Sequence, residues 1–274
     1  ISALYLDLGG MEGAGLAKLR DIADAIDAFR ESGKPVIAYG DFYDQGQYYL
    51  AARADEIYLD PHGIAYVDGF ARYGLFVKDA IDKLSIDWNV FRVGEYKSAV
   101  EMFSRNDMSA AEREENLVWL GTLWGTYKND VAAARGFEPE KLQSYADDAV
   151  AALAAAGGDL AKMALDAGLV TALQGRTGVE QRLVQLTGEN EDDQSYVGVG
   201  HDAYLMNVRS QRALERRSEN VVAVVVASGE IVPGEQPAGM IGSDTLAAQL
   251  RDVRLDDSVK AVVLRIDSPG GSTF

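Results

Sequence analysis

Short apolar runs alternate with stretches of helical period in the N-terminal part of this chain, and no other feature restricts the fold as much. Ala3–Leu8, Val36–Tyr39 and Glu56–Leu59 have the length and composition of buried strands. Between the first two, Leu16, Leu19, Ile22, Ala23, Ile26 and Phe29 recur at helical spacing, and Gly33-Lys-Pro35 ends that helix. Gly40 closes the second run, Asp41–Gln47 reads as a polar loop, and Tyr48–Ala54 as a helix. After a turn at Asp60-Pro-His-Gly63 come an extended stretch to Phe70, a helix over Phe76–Leu84 and a further buried strand, Trp88–Val93. Short strands that are apolar on both faces and separated by helices predict a parallel-sheet α/β unit.

The pattern changes at Ser109. Ser109-Ala-Ala-Glu112 is a capping-box signature heading a long helix with Leu117, Leu120, Trp124 and Tyr127 on one side. Such side chains at helical spacing serve a core or a subunit contact more often than a cofactor. Helix continues through Leu142, Ala149–Ala156 and Leu160–Leu165. Glu189–Asp193 is an acidic, solvated loop and Gln211–Glu219 a polar linker. Beyond it Val221–Val226, a helix capped by Ser243, and Lys260–Ile266 begin a second α/β unit. Ser2–Leu8 aligns with Lys260–Ile266, each followed by a glycine loop, as in a repeat. The expected organisation is 1–103, a first α/β unit; 104–188, a helical middle region; 189–219, acidic loop and linker; and 220–274, the start of the second unit. A beginning inside a strand and an end inside a glycine loop lead us to expect a piece of a longer polypeptide.

Composition removes several classes of function. A net charge of −17 leaves no basic face for a nucleic acid. With no cysteine there is neither thiolate chemistry nor a disulfide. The longest apolar run, Val221–Ala227, falls far short of the ~20 residues that span a bilayer. Histidine occurs only at 62 and 201, outside any serine-rich or metal-binding spacing, so neither a Ser-His-Asp triad nor a metal site is expected, and no cofactor motif is present.

Two stretches remain that carry chemistry. Lys97 follows Gly94 at the mouth of the expected Trp88–Val93 strand, flanked by Tyr96 and Phe103. Burial there would favour its neutral amine, a general base, although a lysine read alone is most often a solvated charge. Ser268-Pro-Gly-Gly271 directly follows a strand, and its bare backbone N–H groups suit an oxyanion as well as they suit a tight turn.

Phe91-Arg-Val-Gly-Glu-Tyr-Lys-Ser-Ala-Val-Glu-Met-Phe103 with Asn106-Asp-Met-Ser109, Gln45-Gly-Gln-Tyr-Tyr-Leu50, and Val262–Ser272 resemble the signal peptide peptidase A family in its long form. The likeness runs through most of the chain and is weakest over 189–219. It implies a tandem repeat of a crotonase-like/Clp-type α/β fold in a membrane-associated serine endopeptidase. The family's Ser/Lys dyad takes its lysine from the first repeat, here Lys97, and its serine from the second. Gly270 and Gly271 map onto the oxyanion loop, and the serine belongs to a segment beyond it. Ser228 superficially resembles that segment but precedes the loop. The serine position of the first repeat is occupied by Gln45, whose amide is no nucleophile. The resemblance further implies hydrophobic signal peptides as substrates and a homo-oligomer, a ring-like tetramer. It places the protein on the periplasmic face of the bacterial inner membrane, held by an anchor outside this chain. A general-base role predicts a buried Lys97 with Glu95 and Glu101 turned away from its amine. A crotonase-like acyl-CoA enzyme and a non-catalytic assembly module are the alternatives.

Overall fold

A computed structural model describes residues 1–192, 194–215 and 220–273. The chain divides into two compact units, Ile1–Gly198 and Val199–Phe274. In the first, strands β1 (Leu4–Asp7), β2 (Val36–Tyr43), β3 (Glu56–Ala65) and β4 (Ala172–Leu173) lie in that order, all parallel. Helix α1 (Leu16–Arg30) connects β1 to β2 and α2 (Gln45–Ala51) connects β2 to β3. Side chains alternate across β2, so both sheet faces need cover. Val36 and Ala38 pack in the larger core with Leu19, Ala23 and Ile26 of α1, while Ile37 and Tyr39 meet Val179 and Leu183 on the other face. That two-sided burial is why β2 reads as a continuous apolar run.

Several boundaries differ from the sequence expectation. β2 continues through Gly40 to Tyr43 across a bulge between Gly40 and Phe42, and β3 continues through the expected turn to Ala65. Glycine permits the second extension, because a Cβ at Gly63 would lie 2.5 Å from the Asp41 carbonyl oxygen. α2 starts three residues earlier than expected because Asp44 and Gln47 form a capping box: each side chain accepts the other's backbone N–H, at 2.7 and 2.9 Å.

After β3 come α3 (Lys78–Lys83), a 3₁₀ turn at Ser98–Val100, α4 (Glu101–Ser104) and the 26-residue α5 (Ala110–Arg135), which ends at Gly136 in the left-handed conformation. α6 (Glu140–Asp147), α7 (Ala149–Ala155), α8 (Leu160–Asp166) and α9 (Arg176–Thr187) follow, α9 carrying Val179 and Leu183. Trp88–Val93 is not a strand. An apolar run becomes one only where a neighbouring strand can receive its backbone hydrogen bonds, and here Phe91 and Val93 are 93% and 92% exposed. Trp88 instead stacks on Phe103, with ring centroids 4.2 Å apart.

The second unit contains α10 (His201–Glu215), β5 (Val221–Ser228), β6 (Glu230–Val232), β7 (Met240–Gly242), α11 (Ser243–Leu255) and β8 (Val259–Asp267). β5 pairs with β8 and β6 with β7, both parallel. Residues 211–215, expected in a linker, close α10; residues 216–219 of that linker and Asp193 of the acidic loop lie outside the described residues. Ser243 is the first helical residue of α11 rather than its cap, and its hydroxyl accepts the Gly234 N–H. Among the described residues, no helix is long and apolar enough to cross a membrane.

Candidate active site

Lys97 sits between a glycine turn and the 3₁₀ turn. Gly94 adopts φ +110°, a conformation that side-chain-bearing residues rarely take, and the Lys97 N–H reaches back to its carbonyl at 3.4 Å. Arg92 then closes the loop: its Nη1 donates to the Lys97 carbonyl and to Glu101 Oε1, both at 3.2 Å. Glu101, 2% exposed, accepts the Ser109 backbone N–H on its other oxygen at 3.0 Å. Burial pushes the Glu101 carboxyl up, but hydrogen bonds from Ser109 and Arg92 outweigh it and hold the group below its ordinary value. Ser109 in turn caps α5 by accepting the Glu112 N–H, and Glu112 lies 3.5 Å from Arg72. The capping box read from the sequence is thus half present. Ser109 serves Glu112, and Glu101 takes the place Glu112 was expected to fill.

The burial expected of Lys97 is not found in this chain: the residue is exposed. The apolar segment that should have covered it is solvent-facing, since Trp88–Val93 joins no sheet. Among the described residues the Lys97 amine makes no ion pair, and the Glu101 carboxylate is engaged by Arg92.

In the second unit the glycine loop returns against β6. Ile231 N–H donates to the Gly270 carbonyl and Ser272 N–H to the Ile231 carbonyl, each at 2.9 Å, a parallel bridge that flanks Gly271. Because its two neighbours make those bonds, Gly271 presents its own N–H on the side away from Ile231, and that N–H has no partner among the described residues. A Cβ on Gly271 would stand 2.2 Å from the Ile231 oxygen. Gly270 N–H is instead taken by Ser268 Oγ at 3.1 Å. Of the two expected oxyanion donors, one is open and one is occupied from within the loop.

The other residues weighed from sequence fall as follows. Ser228 ends β5 opposite Asp267, exposed, and its hydroxyl makes no hydrogen bond among the described residues. Gln45 opens α2; its side chain accepts the Gly69 N–H at 2.8 Å and its carbonyl accepts the Tyr127 hydroxyl. His62 and His201 are exposed beside Asp60 and Asp202. No group of three or more metal-ligating side chains occurs among the described residues. What sequence reasoning missed is the Arg92–Glu101 pair. Both residues lie inside the lysine stretch, but a contact across a glycine turn follows no helical or strand period.

Residues 28–190 match the family described as Peptidase family S49. The chain belongs to that family. Among curated S49-like relatives, it is 43% identical over 272 residues to Protease 4 of Salmonella typhi, covering 99% of this chain and 43% of that protein. It is 42% identical over 274 residues to Protease 4 of Haemophilus influenzae, covering 100% and 44%. The chloroplastic Serine protease SPPA of Arabidopsis thaliana is 27% identical over 280 residues, covering 100% and 39%. The chain therefore spans less than half the length of these relatives. The S49 match contains Lys97 and strands β2, β3 and β4 of the first unit; β1, Gly270 and Gly271 lie outside it.

Proposed function

We propose that this chain carries the general base and an oxyanion donor of a Ser/Lys-dyad serine endopeptidase that degrades hydrophobic signal peptides. Membership in a peptidase family supports the reaction class, and the name of the chloroplastic relative, Serine protease SPPA, supports a serine nucleophile. One observation carries the assignment of Lys97. Its amine makes no ion pair among the described residues, whereas Arg92 and Arg105, which flank it in sequence, are both paired with carboxylates. A lysine kept from carboxylates loses its proton more readily once water is also removed.

A second copy of the chain would remove that water. Tyr73, Leu75, Phe91 and Val93, on the lysine-bearing segment and the stretch before it in sequence, are each more than 70% exposed, which leaves large apolar side chains for a second copy to cover. We place the assembly as a homotetramer on the periplasmic face of the inner membrane, in a crotonase-like repeated fold, with the anchor outside this chain. Neutral Lys97 takes the proton of the serine hydroxyl as the hydroxyl oxygen attacks the peptide carbonyl. It returns that proton to the leaving amine, then activates water to release the acyl group. Gly271 N–H stabilises the oxyanion. The serine comes from the segment that follows the glycine loop in the whole protein.

The test is turnover of a fluorogenic hydrophobic peptide by the whole protein. Lys97→Ala and Lys97→Arg should both fall to near background, since a guanidinium stays protonated. Wild-type turnover by Lys97→Ala would remove Lys97 from the reaction. Turnover by this chain alone, abolished by Ser228→Ala, would make Ser228 the nucleophile.

A further inference from the structure

We infer that Arg92 and Glu101 are positioning residues that fix the Lys97 amine for proton transfer, an inference that rests on the general-base reading of Lys97. The path is continuous. Ser109 N–H holds one oxygen of Glu101, the other oxygen holds Arg92, and Arg92 holds the carbonyl of Lys97. Ser109 is the cap of α5, whose far half is buried in the core at Tyr127, Val131 and Ala132. The lysine loop is thereby referred to the rigid part of the unit, although its own residues are exposed.

Among the described residues the Lys97 N–H makes only a long contact to the Gly94 carbonyl, and φ −83°, ψ 74° places the residue at the edge of the 3₁₀ turn that follows. Stability alone is a poor explanation for the pair. Taking a carboxylate out of water costs several kcal/mol, which an ion pair often only offsets. What the pair supplies is geometry, and a general base needs it, because its nitrogen must come within about 2.6–3.2 Å of the proton donor. Of the other charged groups facing Glu101, Glu112 is itself held by Arg72.

The test uses the whole protein and the same peptide substrate, with Arg92→Gln, Arg92→Lys and Glu101→Gln made alone and in a Lys97→Ala background. A misplacement of about 1 Å can cost 10²-fold, so Arg92→Gln and Glu101→Gln should lower kcat roughly 10- to 100-fold with KM nearly unchanged. Arg92→Lys should fall between, since an ammonium keeps the charge but reaches one acceptor better than two. In the Lys97→Ala background neither change should lower the residual rate further, because the base they position is gone. Glu101→Gln keeps size and an acceptor for Ser109, so it carries the test if Arg92→Gln unfolds. Wild-type kcat in Glu101→Gln and Arg92→Gln beside a dead Lys97→Ala would overturn the positioning role and leave the base intact. An equal fall in both backgrounds would assign the pair to folding alone, which also overturns it. An active Lys97→Ala would sink the base reading itself, and the inference with it.

Discussion

Tyr127 donates its hydroxyl hydrogen to the backbone carbonyl of Gln45, 2.9 Å away and 82 residues earlier in the chain. The tyrosine is buried on α5, and Gln45 is the first residue of α2, directly after β2. The strand-to-helix corner of the first unit is thus closed from outside by α5, while the Gln45 side chain is tied to Gly69. A corner of that kind can present a nucleophile; this one is filled by internal bonds.

Tyr127→Phe removes that bond and strands the Gln45 carbonyl. It should lower the stability of the first unit by about 1–2 kcal/mol, measured by urea unfolding of this chain. Gln45→Ser should not create peptidase activity, and a peptide assay showing otherwise would contradict the filled corner.

Acid should weaken the first unit in a defined direction. Hydrogen bonds from the Arg182 guanidinium, outweighing burial and joined by Tyr58, hold the Glu56 carboxyl below its ordinary value. A lowered carboxylate stabilises the fold above its unfolded value of about 4.3 and loses that contribution as pH falls through the folded value. Glu56→Gln should therefore be less stable than wild type at pH 7, by up to about 1 kcal/mol for so accessible a pair. The two should converge as pH drops below about 4, a comparison made by thermal unfolding at each pH.

The glycine loop distinguishes two neighbours. Gly271→Ala has to displace the Ile231 backbone, whereas a methyl at Gly270 meets nothing within 4 Å and bears only the strain of its φ of +113°. In the whole protein Gly271→Ala should cost on the order of 10²-fold in kcat, and Gly270→Ala markedly less. Equal losses in a peptide assay would argue against Gly271 as the donor.

Self-association should depend on the exposed segment. Phe91→Asp places a charge on the surface proposed to meet a second copy, and sedimentation at micromolar concentration should show its assembly shifted toward the monomer. An unchanged sedimentation profile would put the interface elsewhere.

The sequence made the parallel α/β character legible because β2 is buried on both faces, so its residues carry the signal without reference to distant partners. α1 was equally plain, with Leu19, Ala23 and Ile26 on one stripe and Gly33-Lys-Pro35 behind it. Trp88–Val93 misled because apolar content marks burial in some context, and the covering partner is not a property of the run itself. The start of α2 was missed because Asp44 and Gln47 look like loop residues until their side chains are seen to cap a helix. At the site, Lys97 and Gly271 were marked by local context. The Arg92–Glu101 pair was hidden because its geometry depends on the turn at Gly94.

The length of α5 has a metric consequence. Ser109, which receives the lysine brace, and Tyr127, which closes the Gln45 corner, are joined by one uninterrupted helix, a separation of about 27 Å at 1.5 Å per residue. The helix acts as a ruler with a phase: one residue inserted near Gly121 would lengthen it by about 1.5 Å and rotate one end by about 100° against the other. Tyr127 and the Glu101 platform could not then both keep their seats, so in this region the chain tolerates exchange of side chains far better than a change of count.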